Sequence, residues 1–296
     1  MSLQATTDDP LYAQPRAQRP AYATGMLLDA QDFSDEQTYH RGRLARALAG
    51  LGGSGTLAGL AVAYLAASGT QPEEIQVQPG LAIDRLGRLV EIPRTACLRL
   101  ANWYAATLAV DGGDTLGLAA HDALDRFVSR RFADDGTALP ARAVVADVFI
   151  RFGACAVGLT PSFAAGPFDA LNAVSTSRLN DAYELLLVAR TDLGDAYRGL
   201  PIAPADAVLG QDDADPVARR DAMQDAVLAP YAGATALAPA PEQPPGIDPS
   251  AVLVARVFIP VDGASPPVRT ADVPVIDNHV RSFVPCAALF AQRAGL

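Results

Sequence analysis

"VQPGLAIDRLGRLVEIP", residues Val77–Pro93, packs a Pro-Gly pair, an Asp and a Gly-Arg pair into one short run. Such a run is either a ligand-holding loop or the corners of a small sheet, and the choice separates an enzyme from a building part. Pro79-Gly80 reads as a turn, "LAID" (81–84) as a short strand, and "RLGR" (85–88) as a second turn leading into "LVEIP" (89–93). Gly80 and Gly87 are placed to supply the positive φ that tight turns require. In the last strand Leu89 and Glu91 fall on one face, Val90 and Ile92 on the other. Just upstream, "EEIQVQ" (73–78) alternates Ile75 and Val77, and "TLAGLAVAYLA" (56–66) reads as a further strand. The stretch is a compact β-meander, and each unusual residue has a turn to explain it. It makes corners and carries no chemistry.

A helix precedes the meander. Asp29 is a plausible N-cap, with Asp32 in the first turn where the helix dipole favours a negative charge. The run "AQDFSDEQTYHRGRLARALAGL" (30–51) ends in "GLGGSG", a stop signal. Phe33, Gln37, His40, Leu44, Ala47 and Leu51 follow one another at alternating steps of four and three, which sets them on one narrow stripe. That stripe either lies on the domain's own sheet or forms a seam against other copies of the chain. The polar members Gln37 and His40 favour keeping the seam in view, because a polar seam residue sets register. The first twenty residues, rich in Pro, Gln and Asp, read as an extended N-terminal arm.

In the second half, "ARAVVADVFIRFG" (141–153), "AYELLLVAR" (182–190) and "AVLVARVFIP" (251–260) read as strands, being rich in β-branched and apolar residues. "LAAHDALDRFVSRRF" (118–132) has broadly helical apolar spacing, and "DPVARRDAMQDAVLAP" (215–230) reads as a helix capped by Asp215 with Pro216 in its first turn. "APAPEQPPGIDPS" (238–250) reads as a proline-rich connector running extended over the surface. The fold class that follows is α+β: an arm (1–20), a helix plus β-meander (21–95), then a mainly β, sandwich-like domain (96–296) with helical or irregular insertions near 112–138 and 191–250.

The chain's 296 residues are half hydrophobic but only 6% aromatic, a globular profile with small-residue packing. A net charge of −10 argues against a nucleic-acid partner, which needs clustered Lys and Arg. No secretory signal opens the sequence, and the apolar stretch Leu57–Ala67 is far shorter than the roughly 20 residues a bilayer span takes, so neither export nor membrane insertion is expected. Cys97, Cys155 and Cys286 are widely spaced with no CxxC, and are expected to be buried reduced thiols.

Candidate chemistry is thin. "GLGGSGTLAG" (50–59) follows a helix instead of a strand and lacks a Gly-Lys-Ser/Thr, so it reads as a helix stop, not a phosphate loop. His40, His121 and His279 fall on separate elements without metal-clip spacing. Asp277 and Asn278, beside His279, read as a turn or Asx cap. Asp134-Asp135 and Asp212-Asp213 lie in polar loops; paired carboxylates can hydrolyse glycans, but adjacent loop acids are ordinarily solvated. No GxSxG elbow is present. Catalytic, metal and cofactor sites are therefore expected to be absent, and Phe33, Gln37, His40, Leu44 and Leu51 stand as the candidate interface.

Segments of the chain resemble a family of phage-tail-like proteins encoded with contractile injection systems and contractile tails. They are "YATGMLLDAQDFSDEQTYHRGRLARALAGLG" (22–52), "AGLAV" (58–62), "IQVQPGLAIDRLGRLVEIP" (75–93), "VFIRFGACAVG" (148–158) with Pro161, "STSRLNDAYELLLVA" (175–189), "AVLVARVFIP" (251–260) and "VIDNHVRSFV" (275–284). The chain departs from the family pattern at "GLGGSGTLAG" and in the insert Thr191–Ser250. The resemblance implies a structural or accessory part of a tail particle, peripheral to the baseplate or adapting a fibre or spike. Its partners would be other tail and baseplate proteins and copies of itself. Its location would be a virion or injection particle assembled in the bacterial cytoplasm. The competing expectations are a receptor- or glycan-binding module of such a particle and a glycan hydrolase using loop carboxylates.

Overall fold

The computed structural model describes residues 9–13, 18–108, 118–161, 174–190, 216–228, 237, 239–240, 242–244 and 246–294. After the helix α1 (Ala30–Gly52) come six short strands: β1 (Gly55–Gly59), β2 (Val62–Leu65), β3 (Glu74–Val77), β4 (Gly80–Ile83), β5 (Leu89–Ile92) and β6 (Ala96–Arg99). They group as two sheets, β1-β4-β5 and β2-β3-β6. The antiparallel register nevertheless runs on from one to the other. Gly59 faces Gly80 and, beyond a fold line, Val62 faces Val77. At that line the Gln78 amide donates to the Ala61 carbonyl at 2.8 Å and the Leu60 amide to the Pro79 carbonyl at 3.3 Å. Three long strands, 55–65, 74–83 and 89–99, thus form a meander creased across its middle.

Pro79-Gly80 is therefore part of the crease and does not reverse the chain. Gly80 is required there for space: a Cβ on it would stand 2.4 Å from the Ala58 carbonyl oxygen and from the Leu60 nitrogen. Of the two glycines expected to be left-handed only Gly87 is, at φ 86°. On the facing strand Gly59 and Leu60 take φ 63° and 59°, which splits "TLAGLAVAYLA" into β1 and β2. A leucine in that conformation needs outside help, and a distant segment supplies it. Arg281 Nη1 donates to the Leu60 carbonyl at 2.7 Å. The Asn278 side chain exchanges two hydrogen bonds with the Val62 backbone, at 2.8 and 2.9 Å.

The larger sheet is centred on β8 (Arg142–Pro161). β10 (Val252–Pro260) pairs with one edge of β8 and is itself bordered by β11 (Val275–Asp277). Along the other edge of β8, β7 (Ala120–Asp122) and β9 (Val174–Ala189) follow one another end to end. Alternate residues of β8, namely Val144, Ala146, Val148 and Ile150, pack against Val62, Ile75, Val77, Val90 and Ile92 of the creased meander. This face-to-face layer is the main core, and it draws on residues from both sides of position 95/96. The opposite face is covered as well: Val145 and Phe258 meet Leu124, Phe127 and Phe132, while Phe149 and Leu253 meet Val280. Burial on both faces is why β8 and β10 read as continuous apolar runs. The chain is α+β and mostly β, as its sequence pattern indicates.

Other expectations need correction. "LAAHDALDRFVSRRF" is not one helix: it holds β7, a 3-10 turn at Leu124–Phe127 and a short helix, here α3 (Arg130–Asp134). β7 is drawn into pairing with β8, and Ala123 turns left-handed at φ 52°. Ser129 is fastened by its amide (2.6 Å) and hydroxyl (2.9 Å) to the carboxylate of Asp277. None of the cysteines is buried: Cys97 and Cys286 are exposed and Cys155 is intermediate, all with free thiols. Strand alternation explains Cys97, because Ala96 and Leu98 take the inward side of β6. The connector 238–250 does not simply run over the surface. Gln243 turns inward and bonds its amide group to the Ala240 amide and the Ala251 carbonyl, both at 2.8 Å. The helix Pro216–Leu228 forms as expected, with its Asp215 cap outside the described residues.

Candidate functional site

The stripe singled out in the sequence faces solvent. α1 begins as expected, with a capping box in which Asp29 accepts from the Gln31 and Asp32 amides while Asp32 accepts from the Asp29 amide. It ends at Gly53, φ 72°. The helix does lie on its own fold, but by the side carrying Gly42 and Ala45, its buried residues. The small side chains allow a close approach: a Cβ on Gly87 would fall 1.8 Å from the Ala45 carbonyl oxygen, so the β4–β5 corner abuts the helix backbone. Phe33, Leu44 and Leu51 are consequently 52%, 60% and 91% exposed, and Gln37, His40 and Ala47 are exposed with them. Just before the helix, Met26, Leu27 and Leu28 are exposed too.

The corner under the helix is a polar hub. Asp84 accepts at its Oδ1 from the Leu86 and Arg88 amides, each at 2.9 Å, and at its Oδ2 from Arg88 Nε at 2.7 Å. Burial pushes the Asp84 carboxyl above its ordinary value in spite of the Arg88 guanidinium beside it. Arg88 also donates to Asp9 Oδ2 at 3.1 Å and Ser250 Oγ at 2.9 Å, with its guanidinium 4.7 Å from the centre of the Phe152 ring. Asp9 holds Arg41 of α1 at 3.0 Å as well. Within the expected extended arm, residues 10–13 form a 3-10 turn, Leu11 is buried, and Tyr12 donates to Asp248. That part of the arm is tied to its own fold. Residues 1–8 and 14–17 lie outside the described residues.

A second polar cluster sits at mid-strand on the far face of the larger sheet. Asp147, fully buried, accepts from Arg256 Nε at 2.7 Å and Nη2 at 3.0 Å and pairs with Arg190 Nε at 2.7 Å. Arg256 reaches on to the Phe127 carbonyl at 2.8 Å, which fastens the 3-10 turn over the sheet. A third group ties the β2–β3 hairpin to the 262–270 loop: Glu73 accepts from Tyr64 Oη at 2.9 Å and from both terminal nitrogens of Arg269. The Arg269 guanidinium holds the Glu73 carboxyl below its ordinary value. In all three clusters the charged groups bond to the segments they join.

The outer half of the β8–β9 hairpin projects beyond the sheet. β10 and β7 pair only with the 142–150 part of β8, whereas the hairpin register continues from Ala154↔Asp181 to Pro161↔Val174. Leu159, Val174 and Leu179 are exposed on it.

The other candidates are dispersed. His40 is on α1, His121 on β7 bonds to the Arg190 carbonyl at 3.0 Å, and His279 follows β11, where its amide completes the Asx turn on Asp277 at 2.8 Å. Asp134 and Asp135 end α3 in solvent, and Asp212 and Asp213 lie outside the described residues. Among the described residues no group of three His, Cys, Asp or Glu side chains is placed to hold a metal. No helix among them is long and apolar enough to cross a membrane. Trp103 lies on α2 (Leu100–Leu108) with its indole N–H on the Leu187 carbonyl at 2.7 Å, packed against the core and not an open aromatic platform. A shallow groove of about 450 Å³ lies between Gln18–Pro20 and the Asp32–Tyr39 part of α1. No protein-family model matches the chain, and no curated protein matches it.

Proposed function

We propose that the chain is a non-enzymatic structural part of a contractile tail or related injection particle, peripheral to the baseplate or joining it to a fibre or spike. The observation that carries this reading is the long, double-capped α1, seated by its small residues and turned so that Phe33, Leu44 and Leu51 face outward. A three-residue apolar series on one stripe of a well-anchored helix is the geometry of a contact surface. The resemblance of the helix, meander and later strands to tail-associated proteins supplies the particle context. The projecting β8–β9 hairpin offers a second contact element, since a two-stranded ribbon is only marginally stable in water by itself. The work of such a protein is geometric: it presents fixed surfaces to neighbours in a symmetric assembly.

Mass spectrometry of purified particles from the producing cell tests the reading. The chain should co-purify with sheath and tube proteins. Its absence from the particles, or its production in a cell that makes none, overturns it.

A further inference from the structure

We infer that α1 is a parallel self-association seam, and that the occupant of its exposed stripe is the same stripe of a second copy of this chain. The inference deepens the assembly reading, resting on it only in taking this face as a contact surface.

Three observations carry it. The first is spacing: residues 33, 37, 40, 44, 47 and 51 alternate steps of four and three, the 3.5-residue period that keeps two helices in register along a seam. The exposed run from Phe33 to Leu51 is roughly 27 Å long at 1.5 Å per residue. The second is burial. The opposite side of the helix, through Gly42 and Ala45, is already occupied by its own fold, so the seam positions point outward as a set. The third is charge. Glu36 and Arg43 flank the stripe on one side, and Ser34, Arg41 and Leu48 on the other. In a parallel pair Glu36 of one copy lies across from Arg41 of the other, five residues on, and the pair is made twice by symmetry. In an antiparallel pair with the same layers, Arg41 would face Arg41 and Arg43 would face Arg43 near the middle, so like charges disfavour that arrangement. Arg41 is still 43% exposed while bonded to Asp9, and Glu36 is 39% exposed while accepting from Tyr22 Oη at 2.6 Å. Both heads are accessible. In the parallel arrangement Gln37 meets Gln37 and His40 meets His40, polar layers that fix register at a cost in affinity.

The test uses the purified full-length chain in sedimentation velocity over a concentration series. The wild type is expected to sediment as more than one copy, and Leu44→Glu, at an exposed position, as a monomer with an unchanged circular dichroism spectrum. Glu36→Arg and Arg41→Glu should each weaken association by about tenfold, the size of the two symmetry-related exposed ion pairs that each removes, and the double swap should recover it. Orientation is read separately, by oxidising an Ala47→Cys variant in which Cys97, Cys155 and Cys286 are changed to Ser. A 47–47 disulfide between copies supports the parallel seam. A wild type that stays monomeric, an Leu44→Glu chain that still associates, or a double swap that is no better than the single ones overturns it. These outcomes are independent of whether the chain is found in tail particles, so the two readings fail separately.

Discussion

Position 87 has room for a hydrogen and nothing larger. Its φ of 86° and the 1.8 Å that a Cβ would leave to the Ala45 carbonyl oxygen compound each other. Gly87→Ala is expected to cost about 3 kcal/mol or more in urea denaturation, above the usual strain of a left-handed alanine. Asp84→Ala is expected to cost about 3 kcal/mol by the same measurement, because among the described residues it leaves the buried Arg88 with Asp9 alone as a charge partner. Glu73 gives a pH signature. Its carboxyl is held by Arg269 below the ordinary value of 4.5, so its stabilising contribution is complete above that value and is lost as pH falls through the lower, folded one. Acid titration of stability in Glu73→Gln should be flatter over that window than in the wild type, and coincident curves would refute the assignment. Sequence alone signals a glycine at 87 through the "RLGR" corner. It does not signal the left-handed Leu60, which depends on Arg281 and Asn278, far along the chain.

Among the elements, the helix and the strands of the meander were legible because their determinants are local. Asp29, Asp32 and the glycines at 52–53 fix α1, and alternation fixes β3 and β5. The crease was not legible, since it is written partly in the 278–281 segment. Asn278→Ala, which strips both side-chain bonds from the Val62 backbone, should cost about 2 kcal/mol and speed amide exchange at Val62 before it affects β4 or β5. Uniform loss of protection across the meander would show that the clamp is not local. The seam stripe was legible as a stripe, yet spacing alone does not say which side of a helix turns inward. The deciding signal was present in the small residues Gly42 and Ala45, which permit the close seat on the corner at Gly87. The helix expected over 118–132 failed for the complementary reason: its apolar spacing was real, but β8 offered its first residues an edge to pair with.

At the scale of the molecule, one core joins what the sequence divides at 95/96, with meander residues such as Val77 and Ile92 packed among Val144, Val148 and Val257. The expected outcome is a single cooperative unfolding transition in calorimetry, with equal calorimetric and van't Hoff enthalpies. Two separable transitions would mean that the layers fold independently. The strand β8 gives this architecture a mechanical property. Among the described residues its outer half pairs with β9 alone, while its inner half lies between β10 and the β7–β9 line. A pull directed outward along the hairpin would load the β8–β10 ladder lengthwise, so that its bonds from Ile150 to Ala143 share the strain together instead of opening one after another. A protein wired in this way can pass tension from a projecting ribbon straight into its most deeply packed strand, and yields last at its centre.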